Sequence, residues 1–451
     1  MSTRRVITRT HLHDSINSGD FSFTTELIPA LSKNWNGATY LKNYRQNAWD
    51  SYKKISLPTT KEEAWRRTDI HNLNAGIFSI PESQSFSKLA SIPKYLLKPL
   101  VSKRHGGQII IRPERTDVKV DESLNQKGII FTDLHTAEMK YADKLEKIIG
   151  QIVKPDDGKF ASLTAAMEQY GVFIYIPKGV DVEVPLHSVI WGPGANLAYF
   201  SHIMIWMEPD SSLTYIHEAA SPDGESGQTL HSGVVEIHVG DRAKLQFVEL
   251  QSWGDNVWNF SHERVRVGKD ANLEWIFGAL GSNLTKNFSE IDLIGEGAVG
   301  KMSGFYFTDG KQHLDHDTQQ NHLAPHTTSD LLFKGALKDS SRSVWQGMIY
   351  VAPGAQKTDG YQANRNLILN SKARADSIPG LEILADDVRC THGATVGKLD
   401  PDMIFYLLSR GIPYADAEQL VVEGFFDPIM QRIPFDGVRQ RFQQAIVNKM
   451  K

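Results

Sequence analysis

From Gly171 to Asp387 the chain repeats one local pattern, an apolar run of alternating side chains followed by a turn of small or acidic residues. Val172-Phe173-Ile174-Tyr175-Ile176, Leu245-Gln246-Phe247-Val248-Glu249 and Val344-Trp345-Gln346-Gly347-Met348-Ile349-Tyr350 are such runs. The turns include Pro209-Asp210-Ser211-Ser212, Gly240-Asp241-Arg242, Gly268-Lys269-Asp270, Gly295-Glu296-Gly297 and Lys338-Asp339-Ser340. A period of two with β-branched and aromatic enrichment reads as strand. The turns recur roughly every 30 residues, with one longer gap, which is the spacing of a repeat architecture. A propeller blade would need more strands per period and its own signature. A mainly β fold built as a solenoid of stacked strands, a β-helix, fits better.

The flanks have a different texture. Residues 1–100 read as a helical amino-terminal region, with helix expected over much of Thr24–Leu100. Thr60 and Glu63 stand in the positions of a capping box, and Ile80 to Pro99 is a Ser- and Pro-rich connection. The β-helix is expected over 101–399, with a helical insertion near 137–169. Residues 400–451 read as a helical carboxy-terminal domain. There Asp400-Pro401 is an N-cap followed by proline at the first helical position. A stack of strands needs its two ends covered, and the helical flanks are expected to cap them.

Charge and composition exclude several functions. A net charge of −4 gives no electrostatic case for nucleic acid or an anionic membrane surface. Arg4-Arg5 has no apolar run behind it, so no secretory signal is expected, and no stretch approaches a transmembrane span. A single cysteine excludes an internal disulfide framework and suits a reducing cytosol. Phosphate-loop, Gly-x-Ser-x-Gly and His-Glu-x-x-His motifs are absent. Gly295 to Gly300 matches a dinucleotide fingerprint letter for letter, but strand rather than helix is expected to follow it, so a turn is the better reading.

Two clusters carry metal chemistry. His313, His316, His322 and His326 lie within a short stretch beside Asp315 and Asp317. On a strand, however, His313 and His316 point to opposite faces. Cys390-Thr391-His392 pairs the lone thiol with an imidazole, and both reach iron. One Cys and one His cannot fill the ligand positions of an ordinary iron–sulfur cluster. A cluster there would take its remaining ligands from a second chain or a small molecule.

The block from Leu381 through Cys390 and His392 to Gly397, continued by Ile404 to Ile412, resembles the SufB/SufD family of iron–sulfur cluster assembly proteins, in its SufD branch. Ala324 to Leu332 with Lys334-Gly335 is similar to a central family motif, and Glu63-Ala64-Trp65-Arg66-Arg67-Thr68-Asp69 to an amino-terminal one. The resemblance implies a right-handed β-helix with helical terminal domains. It implies a non-catalytic scaffold in the cytoplasm, paired with a SufB homologue and bound to SufC, an ABC-type ATPase. No cofactor is expected to be held tightly by the chain alone. A transient cluster would be shared with SufB, at an interface to which His392 and Cys390 are carried over as metal-handling residues. The SufC contact maps onto the tail between Asp400 and Ile433, with Ile404, Leu408, Leu420 and Phe425 as its apolar candidates. Deleting the tail is then expected to abolish SufC binding while the strand core still folds. An exposed sheet edge at the end of the solenoid would also favour a homodimer in isolation.

The competing reading is a metal-dependent β-helix enzyme acting on a polysaccharide. It rests on the strand repeat, the four histidines and the nine tryptophans. No clear carboxylate pair on one repeat face supports it.

Overall fold

The computed structural model describes residues 20–28, 39–81, 91–101, 103–113 and 115–450. The extreme amino terminus and part of the Ser- and Pro-rich connection lie outside them. The chain is mainly β and winds a β-helix of about eight turns. From Tyr170–Ile176 onward, successive strands alternate between a ten-stranded and a nine-stranded sheet, so each pairs in parallel with the strand two places on. Side chains facing inward make one core, with Tyr215, Phe247, Trp275, Met302 and Leu331 adjacent in register across five coils.

The turns explain the repeat. Gly179, Asp210, Arg242, Asp270, Gly297, His326 and Lys357 each have a positive φ, between 52° and 74°. Each sits at the same corner of its coil. The N–H of each donates to a carbonyl of the next coil: Gly179 to Pro209 at 3.0 Å, Asp210 to Asp241 at 2.9 Å, Arg242 to Lys269 at 2.8 Å, and so on to Lys357 and Asp387 at 2.6 Å. Left-handed backbone is cheap for glycine and tolerated by Asp and His, which is why small and acidic residues recur there. Gly297 is one of these corners, and the strand Val299–Thr308 follows it, so the fingerprint-like segment is a turn.

The described helices of the flanks lie along the sides of the stack rather than over its ends. The reason is the outer faces of the sheets, which are apolar where a solvent-facing solenoid would be polar. On one sheet Ile216, Val248, Ile276, Phe305 and Phe307 point outward. They are covered by Val422, Phe426 and Ile429 of the helix Tyr414–Met430 and by Val438, Phe442 and Ile446 of the helix Asp436–Met450. Gly278 leaves the space in which Phe305 and Phe442 meet edge to face. On the other sheet Phe200, Leu230, Trp258 and Phe260 are covered by Trp49 and Tyr52 of Thr39–Lys54 and by Phe160 and Leu163 of Lys159–Met167.

One end of the stack is closed by antiparallel strands, Arg115–Val120 and Ile130–Asp133. At the other end Arg374–Ile383 and Arg389–Lys398 are the last strands of the two sheets, and no described strand pairs with their outer edges.

The expected capping-box helix at Thr60 is a short 3-10 turn, Glu63–Trp65, with no side-chain cap. Trp65 is buried among Phe160, Phe260 and Phe288, a tertiary contact that outweighs the local cap signal. Three residues on, Thr68 Oγ1 donates to Asp315 and lies 2.7 Å from His313 Nε2. Asp315 also holds the fully buried Lys286, at 2.9 Å. The Trp-Arg-Arg-Thr-Asp element is therefore a clasp between the amino-terminal segment and the β-helix. Of Thr24–Leu100, only Thr39–Lys54 forms a long α-helix among the described residues. Among them, too, no helix is long and apolar enough to cross a membrane.

Beneath that helix lies a buried ionic network. His202 Nδ1 is 2.6 Å from Glu168 and its Nε2 3.0 Å from Glu236. Glu236 also accepts the backbone N–H groups of Gly150, Ile152 and Val153. Arg45 reaches Glu138 at 3.0 Å and the carbonyl of Glu168 at 2.9 Å. Burial works against protonating His202, but the two carboxylates outweigh it and push its pKa up to about 9. Its charge therefore stabilises the fold fully below the ordinary imidazole range, and that contribution is lost as pH rises through about 9. His202→Ala strands two buried carboxylates and should cost about 3–5 kcal/mol. Urea unfolding at pH 7 measures the loss, and the gap from wild type should narrow by pH 10.

Candidate functional site

The strand Arg389–Lys398 pairs in parallel with Asp359–Ile368, which sets Cys390 beside Gly360 and His392 beside Gln362. Gly360, Gln362 and Asn364 are buried. By the strand period, Cys390 and His392 face the same way as these residues, toward the interior of the coil. Among the described residues no further coil covers them, so His392 is exposed where its neighbour Gln362 is buried. The structure thus brings the thiol and the imidazole to one face at the open end of the stack.

Their surroundings differ. Cys390 is half-buried and packs against Ile349, Val351, Ala355 and Ala385, with Val388 beside it. A Cβ at Gly360 would lie 3.2 Å from its Sγ, so the glycine makes room for the thiol. Burial pushes the Cys390 pKa up, which lowers its thiolate fraction and its affinity for metal at neutral pH. His392 stands at the surface, where an incoming ligand set can reach it. Among the described residues no three His, Cys, Asp or Glu side chains converge in a geometry for a metal ion. A cluster handled at this end would need donors beyond the described residues.

Around the pair, Leu381 (37% exposed), Ile383 (39%), Leu384 (50%) and Val396 (50%) leave apolar surface beside the free strand edges. None of these was singled out from the sequence, although the period-two pattern of Leu381 and Ile383 was readable. They become informative only once Arg374–Ile383 is known to be the last strand of its sheet.

The four histidines separate. His313 is held by Thr68. His316 is buried between Phe277, Tyr306 and Phe333, with ring centroids 5.2–5.8 Å away, and burial depresses its pKa to about 4. His322 is bonded on both ring nitrogens, to Thr327 at 2.7 Å and Ser329 at 2.9 Å. His326 is a left-handed corner of the solenoid. The sequence proximity reflects coil geometry, and the metal-enzyme reading loses the site it rested on.

In the tail the four apolar candidates also divide. Ile404 is turned inward at 7% exposed, so it has no surface for a partner. Phe425 is half-buried beneath the Lys334 ammonium, 4.4 Å from the ring centroid. Leu408 (41%) and Leu420 (47%) remain accessible. Met403, Phe405, Tyr406 and Tyr414 are more exposed still, with Phe405 at 71%. The helix Pro401–Ser409 packs on Tyr414–Met430 and presents most of its apolar side chains to solvent.

A family model described as the SUF system FeS cluster assembly SufBD core domain matches residues 190–425, and one for the SufBD amino-terminal region matches residues 32–187. The iron–sulfur cluster assembly protein SufD of Bacillus subtilis is 29% identical, over 95% of this chain and 98% of its own length. SufB of the same organism is 32% identical, over 94% and 92%. An iron–sulfur cluster assembly SufBD family protein of Staphylococcus saprophyticus is 28% identical over 94% and 92%.

Proposed function

The chain belongs to the SufB/SufD family of iron–sulfur cluster assembly proteins, and from that premise we propose that it is a non-catalytic scaffold subunit which takes the SufD place beside a SufB homologue. The partner adds its strands to the free edges of Arg374–Ile383 and Arg389–Lys398, where unpaired backbone groups and neighbouring apolar side chains invite strand addition. The cluster under construction is then the cargo of that junction. His392 offers one ligand from this chain, and the partner supplies the rest. Cys390, set deeper with a raised pKa, has the secondary part. The observation that carries this reading is that the thiol–imidazole pair lies at the end of the β-helix where no described strand pairs with the last strand edges. Without SufB, the same edges would take a second copy of the chain. The site suits the reducing cytosol.

The apolar surface of the carboxy-terminal helices is the docking face for SufC, with Phe405, Leu408 and Leu420 at its centre. Aromatic and leucine side chains left in water on a short helix are what a helix-in-groove contact uses. Co-expression with SufB and SufC homologues tests the whole proposal: a ternary complex should elute as one species, and failure to bind either partner defeats it. Phe405→Asp with Leu420→Asp should release SufC while the complex with SufB and the thermal midpoint stay within about 2 °C, since surface substitutions change stability little. Unaltered SufC binding by that variant would place the ATPase elsewhere.

A further inference from the structure

The amino-terminal clasp has a second side. Between residues 67–72 and the coil corners at Asn283, Lys311 and Arg342 lies an open cleft of about 430 Å³. Arg67, Lys311, Arg342 and His313 are among its lining residues. Asp69 is the one carboxylate among the lining residues, and it is already engaged by the His71 ring at 2.8 Å. Three cationic side chains and one carboxylate therefore line the cleft, and Arg342 is also paired with Asp376.

These cations are under-used. Arg342 gives Nη2 to Asp376 at 2.8 Å, and its Nε is buried with no acceptor. Arg67 has only distant contacts, with Gln346 at 3.5 Å and Glu63 at 3.9 Å. Among the described residues no acceptor is found for Lys311. A guanidinium is built to grip two oxygens of one phosphate or carboxylate at once. Like charges gathered in a concave site raise the local concentration of anions. Asn283 adds an amide to the wall. We propose that this cleft binds a small, multiply charged oxyanion, held between the guanidinium groups of Arg67 and Arg342 and the ammonium of Lys311.

The cleft spans two parts of the chain, the clasp and the strand corners, so an anion there would tie them together. It is formed by the amino-terminal segment and the β-helix, and it stands independently of the assembly role proposed above. The shared chemistry is a polyanion; pyrophosphate and citrate probe its phosphate and carboxylate forms. The full-length protein is titrated with each by calorimetry at constant ionic strength. Saturable binding of either probe is expected, and the stronger of the two identifies the form. Arg67→Gln with Lys311→Gln, both at accessible positions, should weaken that binding at least tenfold with the thermal midpoint of the unliganded protein unchanged. Absence of saturable binding with both probes, or equal affinity in the double variant, would overturn the site.

Discussion

A SufB–SufC complex carrying His392→Ala should assemble normally and build cluster at no more than about one tenth of the wild-type rate. Removing even the hydrogen-bonded partner of a metal ligand typically costs 10- to 100-fold in affinity or activity, and a ligand itself should cost no less. The variant should fold, because the His392 ring is exposed and among the described residues no side chain is hydrogen-bonded to it. A shift beyond about 0.5 kcal/mol in unfolding free energy would exceed what an exposed substitution causes. The readout is the rise of charge-transfer absorbance on adding iron and a sulfur donor to the purified complex. Cys390→Ala should be the milder variant. Its thiol is drawn into the pocket of Ile349, Val351 and Ala385, and burial holds it protonated at neutral pH. Wild-type cluster formation by His392→Ala would make the residue structural and remove the shared-site proposal. If Cys390→Ala proved the more damaging, the two roles assigned here would be reversed.

The sequence showed the β-helix because its signals are local. A left-handed corner constrains which residue stands there, and a half-buried strand constrains its alternation. Both therefore repeat visibly along the chain. The pair Cys390–His392 was legible for another reason: a thiol and an imidazole two residues apart share a face whichever strand they occupy. What stayed hidden depends on contacts between distant segments. The capping-box reading at Thr60 failed because Trp65 is drawn into an aromatic cluster with Phe160, Phe260 and Phe288, and that burial outweighs a local cap. The four histidines looked like one site because they are close in sequence. The coil places them in four surroundings, and only their partners, such as Thr68, Thr327 and Ser329, tell them apart. The tail was read as an end cap because stacked strands need covering. The apolar residues at Ile216, Val248 and Ile276 alternate with inward ones, so the runs there are apolar on both faces. That two-sided pattern is the mark of a strand sandwiched between core and helix. It was present in the sequence and signals a side cover.

That side cover reverses one expectation about the tail. A chain ending at Leu399 should not yield a soluble β-helix. Without the helices Tyr414–Met430 and Asp436–Met450, the outward Ile216, Val248, Leu250, Ile276, Phe305 and Phe307 become one apolar strip. Arg441 also leaves Glu218, its partner at 2.6 Å, as a buried carboxylate beside His187. Lys449 leaves Asp309. Phe442→Ala alone should cost about 3–5 kcal/mol, the usual range for emptying a buried aromatic site. That is a large part of the 5–15 kcal/mol that holds a typical domain folded, and the truncation removes several such side chains together. The truncated chain is expected in the insoluble fraction, or as a species that binds hydrophobic dye and melts well below the full-length protein. Phe442→Ala in the intact chain gives the graded version by urea denaturation. A soluble, monodisperse truncation with the wild-type midpoint would show that the outer face tolerates water, and the helices would then be appendages. If it aggregates as expected, loss of SufC binding on truncation says nothing about where SufC docks. Only exposed positions such as Phe405 and Leu420 can then separate the tail's two tasks, because their side chains support no part of the strip.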